Sequence, residues 1–151
     1  MSKIILTSHI KQGIKLGKRY GLKEDILEFI PTHHGTSVIR YFYLKALREK
    51  REDVDLAKEE FLYDAELPKT KETSIIALAD PVEAAARSLD EEMSKDVEQI
   101  VEEEIQKKID QGQLDESPLT MDDIEKIKEE FVSTVIAMSH NRIENFPAIE
   151  G

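Results

Sequence analysis

Two adjacent imidazoles, His33 and His34, stand in front of Gly35 and Thr36, with a third histidine, His9, upstream and a carboxylate, Asp80, downstream. Imidazole suits Fe, Mn, Ni or Zn, whereas sites for Mg or Ca are built almost wholly of oxygen, so these four side chains would make a divalent transition-metal site if they converge. Successive residues of a regular helix diverge by about 100°. His33 and His34 therefore reach one centre only where a helix bends or ends, which Pro31 and Gly35 allow. The competing reading is surface or capping histidines. Asp80 also has two readings. Asp80, Pro81 and Glu83 have the order of an N-cap, a first-turn proline and an N3 carboxylate. If the helix instead runs unbroken from Thr73, Asp80 stacks with Ala84 and Arg87. Arg87 would then be a catalytic clamp for phosphate through its planar fork, or simply an ion-pair partner of Glu83 or Glu91. His140 has no such company and reads as a partly exposed residue of the last helix.

The elements that must hold these residues are helical. The chain has 151 residues, enough for one domain with a real core. Long stretches rich in Glu, Lys, Ala, Leu and Ile, with few turn residues, predict helix nearly throughout. The spacing predicts a helix over 8–20, capped by Thr7 or Ser8, with His9 in its first turn and Gly21 as its stop. A second helix is expected over 24–30 and a third over 37–51, followed by a connector whose least regular part is 64–68. Further helices are expected from Val82, over 94–111 with Gly112 as the stop, and from a Thr120 cap with Asp123 at N3 to about residue 145.

No cysteine occurs, so disulfides, thiolate ligands and a cysteine nucleophile are excluded. No leader is evident and no apolar run approaches the roughly 20 residues of a membrane span, which predicts a soluble, cytoplasmic domain. The net charge of −11 argues against direct nucleic-acid binding. That charge is uneven. Residues 1–51 hold 11 Lys or Arg against 4 Asp or Glu, and the remaining residues hold 10 against 28. Three of the four histidines lie in the basic third, where Lys11, Lys15, Lys18, Arg19, Arg40 and Lys45 could favour an anionic ligand or be solvated helix faces.

The stretches Ser8–Lys11, Thr32–Thr36, Tyr41–Tyr43 and Leu78–Leu89 resemble the HD-domain phosphohydrolases. More narrowly, with Gly112–Leu114, Ser117–Thr120 and Asn141–Glu144, they are similar to the C-terminal part of the cytosolic domain of membrane-anchored seven-helix HD proteins, the bacterial cyclic di-AMP phosphodiesterases. The resemblance spans essentially the whole chain and implies an all-α, HD-domain-like bundle that hydrolyses a phosphodiester of a cyclic dinucleotide with metal-activated water. It implies that His9, His33 and His34 bind one metal and Asp80 the other, with Fe or Mn in the intact site and Ni or Zn also able to bind. A departure is Pro81, where the family tends to have serine. The family also places another histidine and its His-Asp pair upstream of the position of His9. No His-Asp pair occurs in residues 1–151. The chain is accordingly expected to be a partial HD domain, truncated at its N-terminus, with an incomplete and inactive site that binds one ion or none. Uncovered helix faces are expected to draw a second copy or a complementing upstream segment. The alternative is a non-catalytic helical domain that binds a nucleotide or a protein.

Overall fold

The structure, a computed structural model, describes residues 3–49, 61–63, 65–87 and 97–144. Among these, the elements are α1 (Lys3–Arg19), α2 (Glu24–Leu27), α3 (Phe29–Thr32), α4 (Arg40–Glu49), α5 (Lys71–Ala86), α6 (Val97–Asp110) and α7 (Met121–Glu144). The all-helical expectation holds. Extended pairing among the described residues is limited to one bridge between Val38 and Leu62. There the Ile39 N–H donates to the Phe61 carbonyl at 2.7 Å and the Tyr63 N–H to that of Ser37 at 3.0 Å.

Helices α5, α6 and α7 enclose the core. Leu78 and Val82 from α5, Val97, Val101 and Ile105 from α6, and Ile124 and Val135 from α7 form one buried cluster. The 97, 101, 105 spacing is the single apolar stripe a core-facing helix requires. Thr120 and Asp123 close the capping box at the start of α7, the Asp123 N–H donating to Thr120 Oγ1 and the Thr120 N–H to Asp123 Oδ2. Helix α3 packs on both α1 and α5, which brings the first part of the chain against the core. Gly13 lets α3 approach α1 closely, since a Cβ there would lie 3.0 Å from Ile30 Cγ2.

Several boundaries differ from expectation. Helix α1 begins at Lys3 rather than near residue 8, so His9 lies in its second turn and not its first. The helix expected over 24–30 is two single turns that restart at Glu28, with Pro31 inside the second. Helix α4 begins at Arg40 because residues 37–39 are spent on pairing with 61–63. The connector expectation holds for 65–69, while Asp64 and residues 50–60 lie outside the described residues, as do 88–96 at the expected start of α6.

Helix α5 settles the question at Asp80. It starts ten residues earlier, at a capping box between Thr70 and Thr73, and runs through Pro81 without a break. A proline in a helix interior costs about 3 kcal/mol. Burial of each large apolar side chain on the same turns returns roughly 1.5–3 kcal/mol. Leu78 and Val82, 0% and 3% exposed, flank the proline and outweigh it. Asp80 is therefore an interior helical residue and not an N-cap.

Candidate metal centre

Three segments meet at the histidines. His9 projects from the middle of α1, His33 is the C-cap of α3, and His34 follows it in the turn that Gly35 closes. One ligand atom from each of the three lies within 4.8 Å of the others. Ring centroids are 5.6 Å apart for His9 and His33, 5.2 Å for His9 and His34, and 4.0 Å for the adjacent pair. The divergence of neighbouring helical residues is overcome because the helix ends at them: His33 caps α3, and Gly35 takes φ +58°.

That turn is held from the far side of the molecule. Gln113, beyond the end of α6, accepts the Thr36 N–H on Oε1 at 2.8 Å and donates from Nε2 to Thr36 Oγ1 at 3.0 Å. Lys108, from α6, donates through Nζ to Ser37 Oγ at 2.8 Å and to the His34 carbonyl at 3.2 Å. Both side chains are buried. Tyr63 stacks on the His34 ring with centroids 4.3 Å apart.

The rings are also oriented. His33 Nδ1 lies 2.7 Å from the Ile30 carbonyl, which can only accept, so the proton resides on Nδ1 and Nε2 keeps its lone pair. Burial and the neighbouring His34 hold the His33 pKa below its usual range, which favours the neutral, ligating form. His34 Nδ1 lies 3.3 Å from Asp80 Oδ2. The hydrogen bond from His34 holds the Asp80 carboxyl below the ordinary aspartate range against the opposing effect of burial, with His33 and Lys108 adding to the lowering. Burial, and next the charge of Asp80, push the Tyr63 hydroxyl up.

The four metal candidates of the sequence are thus brought together, with a distinction. The three histidines form the cluster, and Asp80 touches it through His34. Asp80 also lines a cavity of about 560 Å³ with His34, Tyr63, Ala84, Lys107 and Lys108. Arg87 is not brought to this place. It is ion-paired with Glu83, Nε to Oε1 at 3.0 Å, and lines a separate, apolar cavity of about 260 Å³ between α5 and α7. The ion-pair role is the one its contacts support. The side chain of His140 lies outside the described residues. Lys108, Gln113 and Tyr63 are site residues that the sequence does not single out. The first had a signal: it falls three residues after Ile105 on the buried stripe of α6, where a lysine is out of place.

No family model matches the chain. It is 35% identical over 144 residues to the cyclic-di-AMP phosphodiesterase PgpH of Bacillus subtilis (strain 168), covering 95% of this chain and 20% of that protein. Identity to the cyclic-di-AMP phosphodiesterase PgpH of Listeria monocytogenes serotype 1/2a (strain 10403S) is 32% over 143 residues, with the same coverage. The chain spans about a fifth of the length of these relatives. Among solved structures, the HD domain of L. monocytogenes PgpH in complex with cyclic-di-AMP superposes with a TM-score of 0.82 at 31% identity, covering 91% of this chain and 63% of that one. Likeness in sequence and in fold makes this chain an HD-domain phosphohydrolase relative that resembles the HD domain of the PgpH phosphodiesterases.

Proposed function

We propose that this chain is part of a metal-dependent phosphodiesterase domain whose ligand is a cyclic dinucleotide, cyclic di-AMP by its likeness to PgpH. The observation that carries the reading is the convergence of His9, His33 and His34 within 4.8 Å. Three imidazoles, one with its lone pair set free by a carbonyl contact, fit a single divalent transition ion: Fe or Mn by the family likeness, with Ni or Zn also suited to the donors. Such an ion, when bound, polarises phosphate and activates water. The chain's own part is to hold the rings: Ile30 orients His33, Asp80 orients His34, and Gln113 and Lys108 fix the turn that carries both. Asp80 is also the candidate ligand for a second ion. Arg87, held by Glu83 beside another cavity, has no part in this proposal.

Residues 1–151 contain no His-Asp pair to bridge two ions. Their turnover by themselves is therefore expected to be at least ~100-fold below that of a two-metal domain. We assign the domain to the cytoplasm within the same proposal; no described helix is long and apolar enough to cross a membrane. A second copy or a complementing segment on the side of α1 and α2 also belongs to it, where Leu16, Tyr20, Leu22 and Ile26 are exposed.

The test is calorimetry with Mn, Ni or Zn on the chain and on a His33→Ala, His34→Ala double variant, alongside hydrolysis of cyclic di-AMP. One ion bound by the chain and lost in the double variant is expected. Equal, low affinity in both would remove the metal site, and rapid metal-dependent hydrolysis would overturn the expected inactivity. The excess of Lys and Arg in residues 1–51 favours one other reading, a non-catalytic nucleotide-binding domain. Dinucleotide binding that needs no metal and is unchanged in the double variant would select it.

A further inference from the structure

Lys108 is 7% exposed, and lysine is almost never buried this far unless it is paired with a carboxylate. Its ammonium makes two hydrogen bonds, both to neutral oxygens, Ser37 Oγ and the His34 carbonyl. No ion pair within 4.0 Å engages it among the described residues. The nearby carboxylates are otherwise committed: Glu104 is bound by Lys107 at 2.7 Å, and Asp80 by His34 at 3.3 Å. An ammonium has three donors, so one is left over. Burial holds the Lys108 pKa below its ordinary value, against the opposing charges of Asp80 and Glu104. The side chain forms part of the wall of the cavity of about 560 Å³ that also contains His34, Tyr63, Asp80 and Lys107. A buried cation with no carboxylate paired to it among the described residues, on the wall of an open cavity beside the histidine cluster, is what an anionic guest requires.

We propose that Lys108 is the anion-recognising residue of this site, donating to a phosphate oxygen of a ligand lodged in the cavity that His34, Tyr63 and Asp80 share. The proposal deepens the phosphodiesterase reading and rests on it only for the source of the phosphate. Its anchors on the His34–Ser37 turn hold the ammonium on the same turn that carries His34, so metal and phosphate positions are fixed relative to each other by one short segment. Lys126, paired with Asp122 on the exposed face of α7 and outside this cavity, serves as the control for charge alone.

Calorimetric titration of the full chain with inorganic phosphate, and separately with cyclic di-AMP, tests this on the wild type, Lys108→Met, Lys108→Arg and Lys126→Met. Loss of a charge-assisted hydrogen bond to phosphate should weaken binding at least ~10-fold in Lys108→Met. Lys126→Met should change it less than about twofold, as expected for an exposed charge, and Lys108→Arg should keep part of the affinity. Tighter binding of the dinucleotide with the same dependence on Lys108 identifies its phosphate as the ligand; equal binding of phosphate alone identifies a free-phosphate site. Unchanged affinity in Lys108→Met, or no binding of either probe by the wild type, overturns the proposal. A parallel Ni titration separates it from the metal reading. If Lys108→Met loses metal and anion together, Lys108 acts only through the His34 turn, and the anion site is likewise overturned.

Discussion

Gln113 Oε1 accepts the backbone N–H of Thr36 at 2.8 Å from 77 positions away in the sequence. One buried amide thus determines where the turn behind His33 and His34 sits. Replacement of Gln113 by Leu keeps the volume but leaves the Thr36 N–H without its acceptor, a loss of about 1–3 kcal/mol. Thermal unfolding should shift down by roughly 2–4 °C per kcal/mol for a domain of this size. Because the turn orients two of the three candidate ligands, Ni affinity should also fall by about 10–100-fold. Lower Tm with unchanged Ni affinity would mean that the pair of histidines is held by its own helix end and not by Gln113.

Gly35 meets the same amide from the other side. It adopts φ +58°, and a Cβ there would lie close against Gln113 Oε1. Gly35→Ala combines a left-handed backbone, costing roughly 1–2 kcal/mol, with displacement of an oxygen that is pinned by Thr36. Denaturant unfolding should show a lower midpoint with an unchanged slope. A variant as stable as the wild type would show that the turn reorganises freely.

The contrast between these residues and the histidines shows what the chain discloses locally. His33 and His34 are legible because a proline before them and a glycine after them mark a helix end, the one place where adjacent imidazoles can turn toward a common centre. The helices α6 and α7 are legible because an apolar stripe, a Gly112 stop and the Thr120–Asp123 box are contained within each segment. Gln113 and Lys108 act on a turn more than 70 residues away, and no local pattern reports that pairing. Asp80 is ambiguous in the sequence for a related reason. Its own neighbours spell a helix start, while the helix is set by Thr70 upstream and by burial of Leu78 and Val82 in a core assembled from distant elements.

The histidine cluster makes stability depend on pH. The His33 pKa is held below its ordinary value of 6.5 in the folded chain, chiefly by burial. Between the two values the unfolded chain binds more protons, so stability rises with pH there. The contribution is fully present above 6.5 and is lost as pH falls through the folded value. Metal-free protein should therefore begin to lose stability as the buffer is taken below pH ~6.5, before most carboxylates titrate. In His33→Gln this first step should be reduced, as read by urea midpoints at a series of pH values. A step of the same size in the variant would assign it to another group.

Asp80 supplies the sharpest distinction within the site. Its Oδ2 is 3.3 Å from His34 Nδ1, an arrangement in which the carboxylate holds the proton side of the ring and leaves the lone pair on Nε2. Carboxylates that orient a ligating histidine raise its basicity, and their removal costs about 10–100-fold in metal affinity. Asp80→Asn keeps the shape and an acceptor oxygen but loses the charge, so the affinity of the single ion should fall toward the lower end, about 10-fold. Asp80→Ala should fall further. If Asp80 instead serves only as ligand to a separate ion, both variants leave the first ion's affinity unchanged. A titration of wild type and both variants with Ni at one pH above the histidine range therefore separates an orienting carboxylate from a coordinating one, since only the first couples Asp80 to the ion held by the three imidazoles.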